Sequence, residues 1–281
     1  MEPANHTTVT EFVILGLTDN PTLCAIFSVV FLGVYIVTIV GNISIIILIR
    51  SSPQLHTPMY LFLRHLAFVD VGYSTSVTPV MLVSFLRETT AVPVPGCIAQ
   101  LGSDVASGTA ECFLLAAMAY DRYVAIGSPL LYPARMSPGL CLRLLAASYL
   151  GGCANLSCGH AYFAEISAAI SSASVLASTL ATITASYASV LRSILRMRST
   201  EGRKKAFSTC TSHLTAVTLF YGTVLFVYVM PKSRYSADRV KVASVISTVV
   251  VPMLNPLIYS LRNKEVREAV RKLTARTHCF P

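Results

Sequence analysis

The sequence predicts an all-α membrane protein, a bundle of seven spanning helices followed by a short amphipathic helix on the inner membrane surface. Three observations carry this expectation. Of the 281 residues, 54% are hydrophobic and only 12% are charged, far more apolar and charge-poor than a soluble globular domain of this size. Apolar runs of about twenty residues recur along nearly the whole chain, each long enough for a helix rising about 1.5 Å per residue to cross a ~30 Å hydrocarbon core. Lys and Arg fall in short segments between those runs, with the excess on one side.

The spans read as 23–49, 58–84, 97–125, 140–163, 166–195, 207–230 and 238–261. The fifth, Ile166–Leu195, is expected to be the weakest by hydropathy because Ala and Ser dominate it, although small residues suit close helix packing in membranes. Arg50, Arg135, the group Arg192, Arg196, Arg198, Arg203, Lys204 and Lys205, and the basic tail all fall on the side assigned to the cytosol, whereas the opposite loops hold mainly Arg87, Lys232, Arg234 and Arg239. The chain is thus expected to divide into an extracellular segment 1–22, a membrane domain 23–261 and a cytoplasmic tail 262–281. Residues 1–22 contain no Lys or Arg and no cleavable leader pattern, so the first span is expected to direct its own insertion.

In the tail, Asn263–Leu273 sets Val266, Val270 and Leu273 on one face, which reads as a helix lying on the inner membrane surface, with a disordered basic tail as the competing reading. The net charge of +9 does not point to nucleic acid, because the basic residues lie between apolar runs instead of forming a stripe on a soluble face. Eight cysteines at irregular spacings, without CxxC pairs or Cys/His clusters, support no metal centre. Asn5-His6-Thr7 is a glycosylation sequon in the external segment; a second at Asn155 falls inside the fourth span, out of reach of the modifying enzyme.

Ionisable groups at membrane depth are costly and usually face the protein interior, so each is a functional candidate. At about 100° per residue, Asp104, Glu111 and Arg122 fall on one stripe of the third span, running roughly 27 Å from the outer mouth to the inner surface. Asp70, with Glu111 and the amides Asn42 and Asn255 at comparable depth, reads either as a Na⁺ site of oxygen ligands or as a hydrated network without an ion. Pro252 and Pro256 each remove a backbone donor from the seventh span and kink it, either as a moving part or as a static packing feature.

Gly41-Asn42, LHTPMYLFLRHLAFVD (Leu55–Asp70), MAYDRYVAI (Met118–Ile126), KAFSTCTSHL (Lys205–Leu214) and PMLNPLIYSLRNKEV (Pro252–Val266) occur in this order. In these segments the chain resembles the olfactory receptor family of rhodopsin-like G-protein-coupled receptors. The resemblance implies a plasma-membrane receptor, not an enzyme, that binds small volatile odorants and activates an olfactory Gs-type heterotrimeric G protein to raise cyclic AMP. It implies that Asp121, Arg122 and Tyr123 form the switch facing the G protein, and that Asn255, Pro256 and Tyr259 rearrange on activation. The ligand cavity is expected in the outer half of the bundle, with Asp104, Ser107, Gly108 and Tyr221 as candidate lining. Asp104 reads either as a carboxyl solvated at the cavity mouth or protonated in an apolar pocket, or as a carboxylate that favours amines over neutral odorants, since an ammonium partner gains most where the dielectric is low.

The sequence also departs from the family. The long external loop between the fourth and fifth spans is missing, which removes the usual disulfide partner of Cys97; Cys158 is the nearest substitute, and a free Cys97 is the expected state. Gly127-Ser128, Arg64 and the small, polar run Ile166–Ser189 are further departures. Two other functions compete: a transporter or channel, for which no inverted repeat is found, and a receptor fold that has lost signalling with the loop.

Overall fold

The computed structural model describes residues 10–14, 20–87, 90–157, 162–229, 242, 244–262 and 264–277. A short strand β1 (Glu11–Ile14) precedes α1 (Pro21–Ser51). The Asn20 side chain caps α1, its Oδ1 accepting from the Thr22 and Leu23 amides at 3.0 and 3.4 Å, while Pro21 supplies a preset φ where no N–H is needed. A 3₁₀ turn at Pro53–Leu55 reverses the chain into α2 (Pro58–Leu86), again begun by a proline. Strand β2 (Thr90–Pro93) leads into α3 (Val94–Gly127). A single turn α4 (Tyr132–Arg135) bridges to α5 (Pro138–Ser157), followed by α6 (Tyr162–Arg196) and α7 (Thr200–Val229). A π-helical turn Ile246–Val250 runs into α8 (Val251–Arg262), and α9 (Lys264–Thr277) ends the described chain. The end of the bundle bearing α4 and α9 is called inner below.

The helical bundle carries one addition that the sequence does not announce. β1 and β2 pair antiparallel, with Glu11 opposite Pro93 and Ile14 opposite Thr90. Two extended segments at the outer end each carry unpaired backbone donors and acceptors, and pairing satisfies both. Four residues per strand are too few for alternation to register in the sequence.

The fifth helix also differs from expectation. On length and composition, Pro21–Ser51, Pro58–Leu86 and Ala169–Arg196 are each long and apolar enough to cross a membrane, so the Ala- and Ser-rich segment is not the weakest. Its Leu, Ile and Val residues offset the hydroxyls, most of which donate back to the carbonyl one turn earlier, as Thr182, Thr184 and Ser189 do.

The inner half of the bundle holds the core. Leu55, Phe62, Leu66, Leu114, Met118, Val124 and Tyr259 are fully buried there, while α1 turns Val29, Ile36 and Val40 outward, as a lipid-facing helix does. Pro256 has no N–H for the carbonyl of Pro252, and Asn42 fills the vacancy: its Nδ2 donates to the Pro252 and Thr38 carbonyls, both at 3.0 Å. Gly41 completes this seam, since a Cβ there would lie 3.3 Å from the Pro256 ring. One turn earlier, Pro252 removes the donor for Thr248, and the helix relaxes into the π-turn at that point.

α9 forms a helix where a disordered tail was the competing reading. Among its described side chains Val266 and Ala269 are buried, whereas Val270, expected on the same face as Val266, is 43% exposed, and the Leu273 side chain lies outside those described. The Tyr60 hydroxyl donates to Glu265 Oε2 at 2.6 Å and Lys272 Nζ to Gln54 Oε1 at 3.0 Å, tying α9 to the start of α2 and to the turn before it.

Candidate functional site

At the inner end of α3, Asp121 is fully buried and both its oxygens are held. Arg122 Nη2 donates to Oδ2 at 2.9 Å, and the Tyr132 hydroxyl of α4 donates to Oδ1 at 2.7 Å. Burial, with the Asp121 charge adding to it, pushes the Tyr132 phenol above its ordinary range, so it stays a donor. A buried carboxylate with a cation and a hydroxyl is satisfied, and removal of either partner leaves it short. Arg122 retains an Nε without a partner among the described residues. Tyr123 packs with Ile126 against Val190, Ile194 and Cys210, joining α3 to α6 and α7.

A second inner network was not anticipated residue by residue. His213, fully buried on α7, meets the Leu115 carbonyl of α3 through Nε2 at 3.1 Å and the Tyr187 hydroxyl of α6 through Nδ1 at 2.7 Å, with the two rings stacked. A carbonyl can only accept, so Nε2 carries the proton and Nδ1 accepts from Tyr187. The signal was present: a histidine at membrane depth is costly unless partnered.

In mid-bundle, Asn255 Nδ2 donates to Asp70 Oδ2 at 3.0 Å, and the buried Glu111 carboxyl neighbours that of Asp70. Asp70 Oδ1, Ser74 Oγ and Glu111 Oε1 are buried without a hydrogen-bond partner among the described residues. Such oxygens suit a hard monovalent cation or a shared proton. Asn42, expected in this cluster, instead spends its donor on the seam with the seventh helix, because the carbonyl orphaned by Pro256 lies there. Among the described residues no group of three or more His, Cys, Asp or Glu could hold a metal ion.

The outer half holds an open-sided cavity of about 410 Å³, lined by Tyr73, Asp104, Gly108, Leu176, Phe220 and Val224 among others. Asp104 Oδ1 accepts from Ser76 Oγ of α2 at 3.1 Å. Ser107 and Tyr221 do not line this cavity. Ser107 lies about 60° round the helix from Asp104, away from the side where Gly108 follows at about 40°. Tyr221 is buried behind its neighbour Phe220 and donates to Thr179 at 2.8 Å. The expected α3 stripe is therefore divided: Asp104 and Glu111 both turn to α2, and Arg122 to its own neighbour. Cys97 is free and partly exposed; Cys158 and Asn5 lie outside the described residues.

Comparison with known proteins agrees with this architecture. Residues 41–165 match the 7 transmembrane receptor (rhodopsin family) and residues 140–277 match the Olfactory receptor family. Olfactory receptor 5P4 of Mus musculus is 71% identical over 312 positions that take in all of both chains. Olfactory receptor 5P1 of Mus musculus is 59% identical, covering 99% of this chain and 100% of its own, and Olfactory receptor 5P3 of Homo sapiens is 59% identical over 97% of each. The 312 aligned positions against 281 residues leave about 31 without a counterpart here, which fits a chain whose α5 and α6 are joined by residues 158–161 alone. With seven membrane helices, an outer cavity and a buried Asp121–Arg122 ion pair at the inner end, the chain belongs to the olfactory receptor family, as a multi-pass membrane receptor and not an enzyme.

Proposed function

We propose that this receptor takes a small volatile odorant into the outer cavity and activates an olfactory Gs-type heterotrimeric G protein at the inner end, raising cyclic AMP. The reading places the chain in the plasma membrane, with the N-terminus outside and residues 262–281 in the cytosol. The observation that carries it is the outer cavity itself: about 410 Å³, within the range of small-molecule sites, and walled by α2, α3, α6 and α7. The same α3 that lines the cavity carries Asp121 and Arg122 about five turns further in.

A ligand that fits better when α7 stands away from α3 biases the bundle toward that arrangement. The contact it must break is His213 to the Leu115 carbonyl. Arg122 then exchanges Asp121 for a carboxylate or carbonyl of the partner, with Tyr123 on the same surface, while Asn255, Pro256 and Tyr259 repack beside it. Asp70, Ser74 and Glu111 are the residues that would hold Na⁺, whose charge would stabilise the closely packed resting state.

Asp104 supports a second reading, amine sensing. Its carboxylate borders the cavity with a single hydroxyl donor and no cation within salt-bridge distance among the described residues. Cyclic AMP measured in cells that carry the olfactory G protein, across a panel of alcohols, aldehydes and volatile amines, tests both. A response to neutral odorants supports the first, and an amine response lost in Asp104→Asn supports the second. A chain at the cell surface that answers nothing in the panel points to a receptor fold without signalling.

A further inference from the structure

A second cavity, about 540 Å³, opens at the inner end between the α1–α2 connection, α2, α4 and α5, apart from the odorant site and touching the Asp121 cluster only through Tyr132. Ile49, Leu61 and Met136 give it apolar walls, and none of its lining residues is acidic. Three sources of positive potential converge on it. Arg64 borders it, partly buried, and among the described residues no carboxylate lies within salt-bridge distance. The N-terminus of α2 opens on it at Thr57 and Pro58, and Thr57 supplies no side-chain cap. The N-terminus of α5 opens on it at Pro138. Helix N-termini present free N–H groups and the positive end of the dipole, which together favour an anion.

Arg64 stands six residues into a spanning helix, where a guanidinium without a counter-ion is costly. Helical side chains lean toward the helix N-terminus, which carries this guanidinium toward the inner mouth of the cavity. The adjoining membrane supplies an anion with both required properties: a phosphate that a guanidinium grips with two parallel hydrogen bonds, and an acyl chain that covers apolar walls. We infer that this cavity is a binding site for one anionic phospholipid, its phosphate held by Arg64 and the first turn of α2 and its acyl chain lying along Leu61, Ile49 and Met136. The inner-leaflet assignment rests on the orientation proposed above. Because Tyr132 lines the same cavity and also holds Asp121, the bound lipid braces the element that restrains the switch.

The test uses the full chain purified and reconstituted into nanodiscs of phosphatidylcholine alone or with one fifth phosphatidylserine, with retained lipid read by native mass spectrometry and unfolding temperature read in parallel. Neither readout depends on odorant or G protein, so its failure is separable from failure of the signalling reading. The expected result is one retained phosphatidylserine per chain and a higher unfolding temperature in the anionic discs. Arg64→Gln should weaken retention about tenfold, roughly the strength of one charge-assisted hydrogen bond. Arg64→Lys, which keeps the charge and loses the paired geometry, should fall between the two, and serves alone if the Gln variant does not fold. Arg196→Gln, removing an exposed charge on α6, should retain lipid like the wild type. Equal loss in Arg64→Gln and Arg196→Gln would reduce the effect to general surface attraction and overturn the site. So would wild-type retention in Arg64→Lys and Arg64→Gln alike, or stabilisation by inorganic phosphate equal to that by lipid.

Discussion

The two halves of α3 differ sharply. From Thr109 to Val124 most residues are buried, whereas between Val94 and Gly108 only Gly102 is. The inner half meets its neighbours through satisfied polar links, Asp121 with Arg122 and Tyr132, and Leu115 with His213 and Tyr187. The outer half faces a cavity and contributes a single hydroxyl-to-carboxylate contact to α2, at Asp104. Interiors packed this closely switch between discrete arrangements, while a loosely walled cavity can accept varied shapes. On the proposed function, this difference would put restraint in the inner half and reception in the outer.

The largest expected effect comes at a place where the outer half is tight. A Cβ on Gly152 would lie 2.6 Å from the Ala106 carbonyl oxygen, a backbone atom that cannot step aside. Gly152→Leu should abolish surface expression, and Gly152→Ala should cost about 1–3 kcal/mol in thermal unfolding. By contrast, Gly108 has open space before it, and Gly108→Ala should leave expression unchanged. Next comes Asn42→Ala, which strands the Pro252 carbonyl in the seam between α1 and α8. The cost should be about 1–3 kcal/mol, read as a lower unfolding temperature.

Tyr132→Phe removes one of the two partners of Asp121 without opening a cavity. A hydrogen bond to a charged group contributes about 1.5–3 kcal/mol, and part of that should appear as a several-fold rise in odorant-free cyclic AMP. Unchanged basal signalling would mean that Tyr132 only packs. The smallest effect belongs to the exposed link between Lys272 and Gln54: Lys272→Ala should change stability by less than about 0.5 kcal/mol.

The same division sets how much the sequence disclosed. The motifs that carry the family resemblance, around Asp121, His213 and Asn255, lie in mid-bundle and the inner half, where packing and polar satisfaction constrain each position. Helix number, the Asp70–Asn255 pairing and the amphipathic α9 follow from periodicity and from the cost of polar groups in lipid. Depth alone groups Asn42 with Asp70 and cannot reveal that Pro256 orphans a carbonyl beside it. Ser107 and Tyr221 fall outside the cavity lining, and a residue 60–100° off the cavity face cannot be told from a lining one before the neighbouring helices are set. The β1–β2 pairing joins segments far apart in the chain and too short to show a period.

Cyclic AMP dose–response curves for Gly108→Leu and Arg122→Ala, each beside wild type at matched surface expression and with an odorant that activates the wild type, test the division directly. Gly108→Leu fills the cavity and should shift half-maximal response at least about tenfold while a maximum remains, since one misfitting side chain changes binding by about 1–3 kcal/mol. Arg122→Ala should give no response at any odorant concentration. A wild-type maximum from Arg122→Ala would contradict the account.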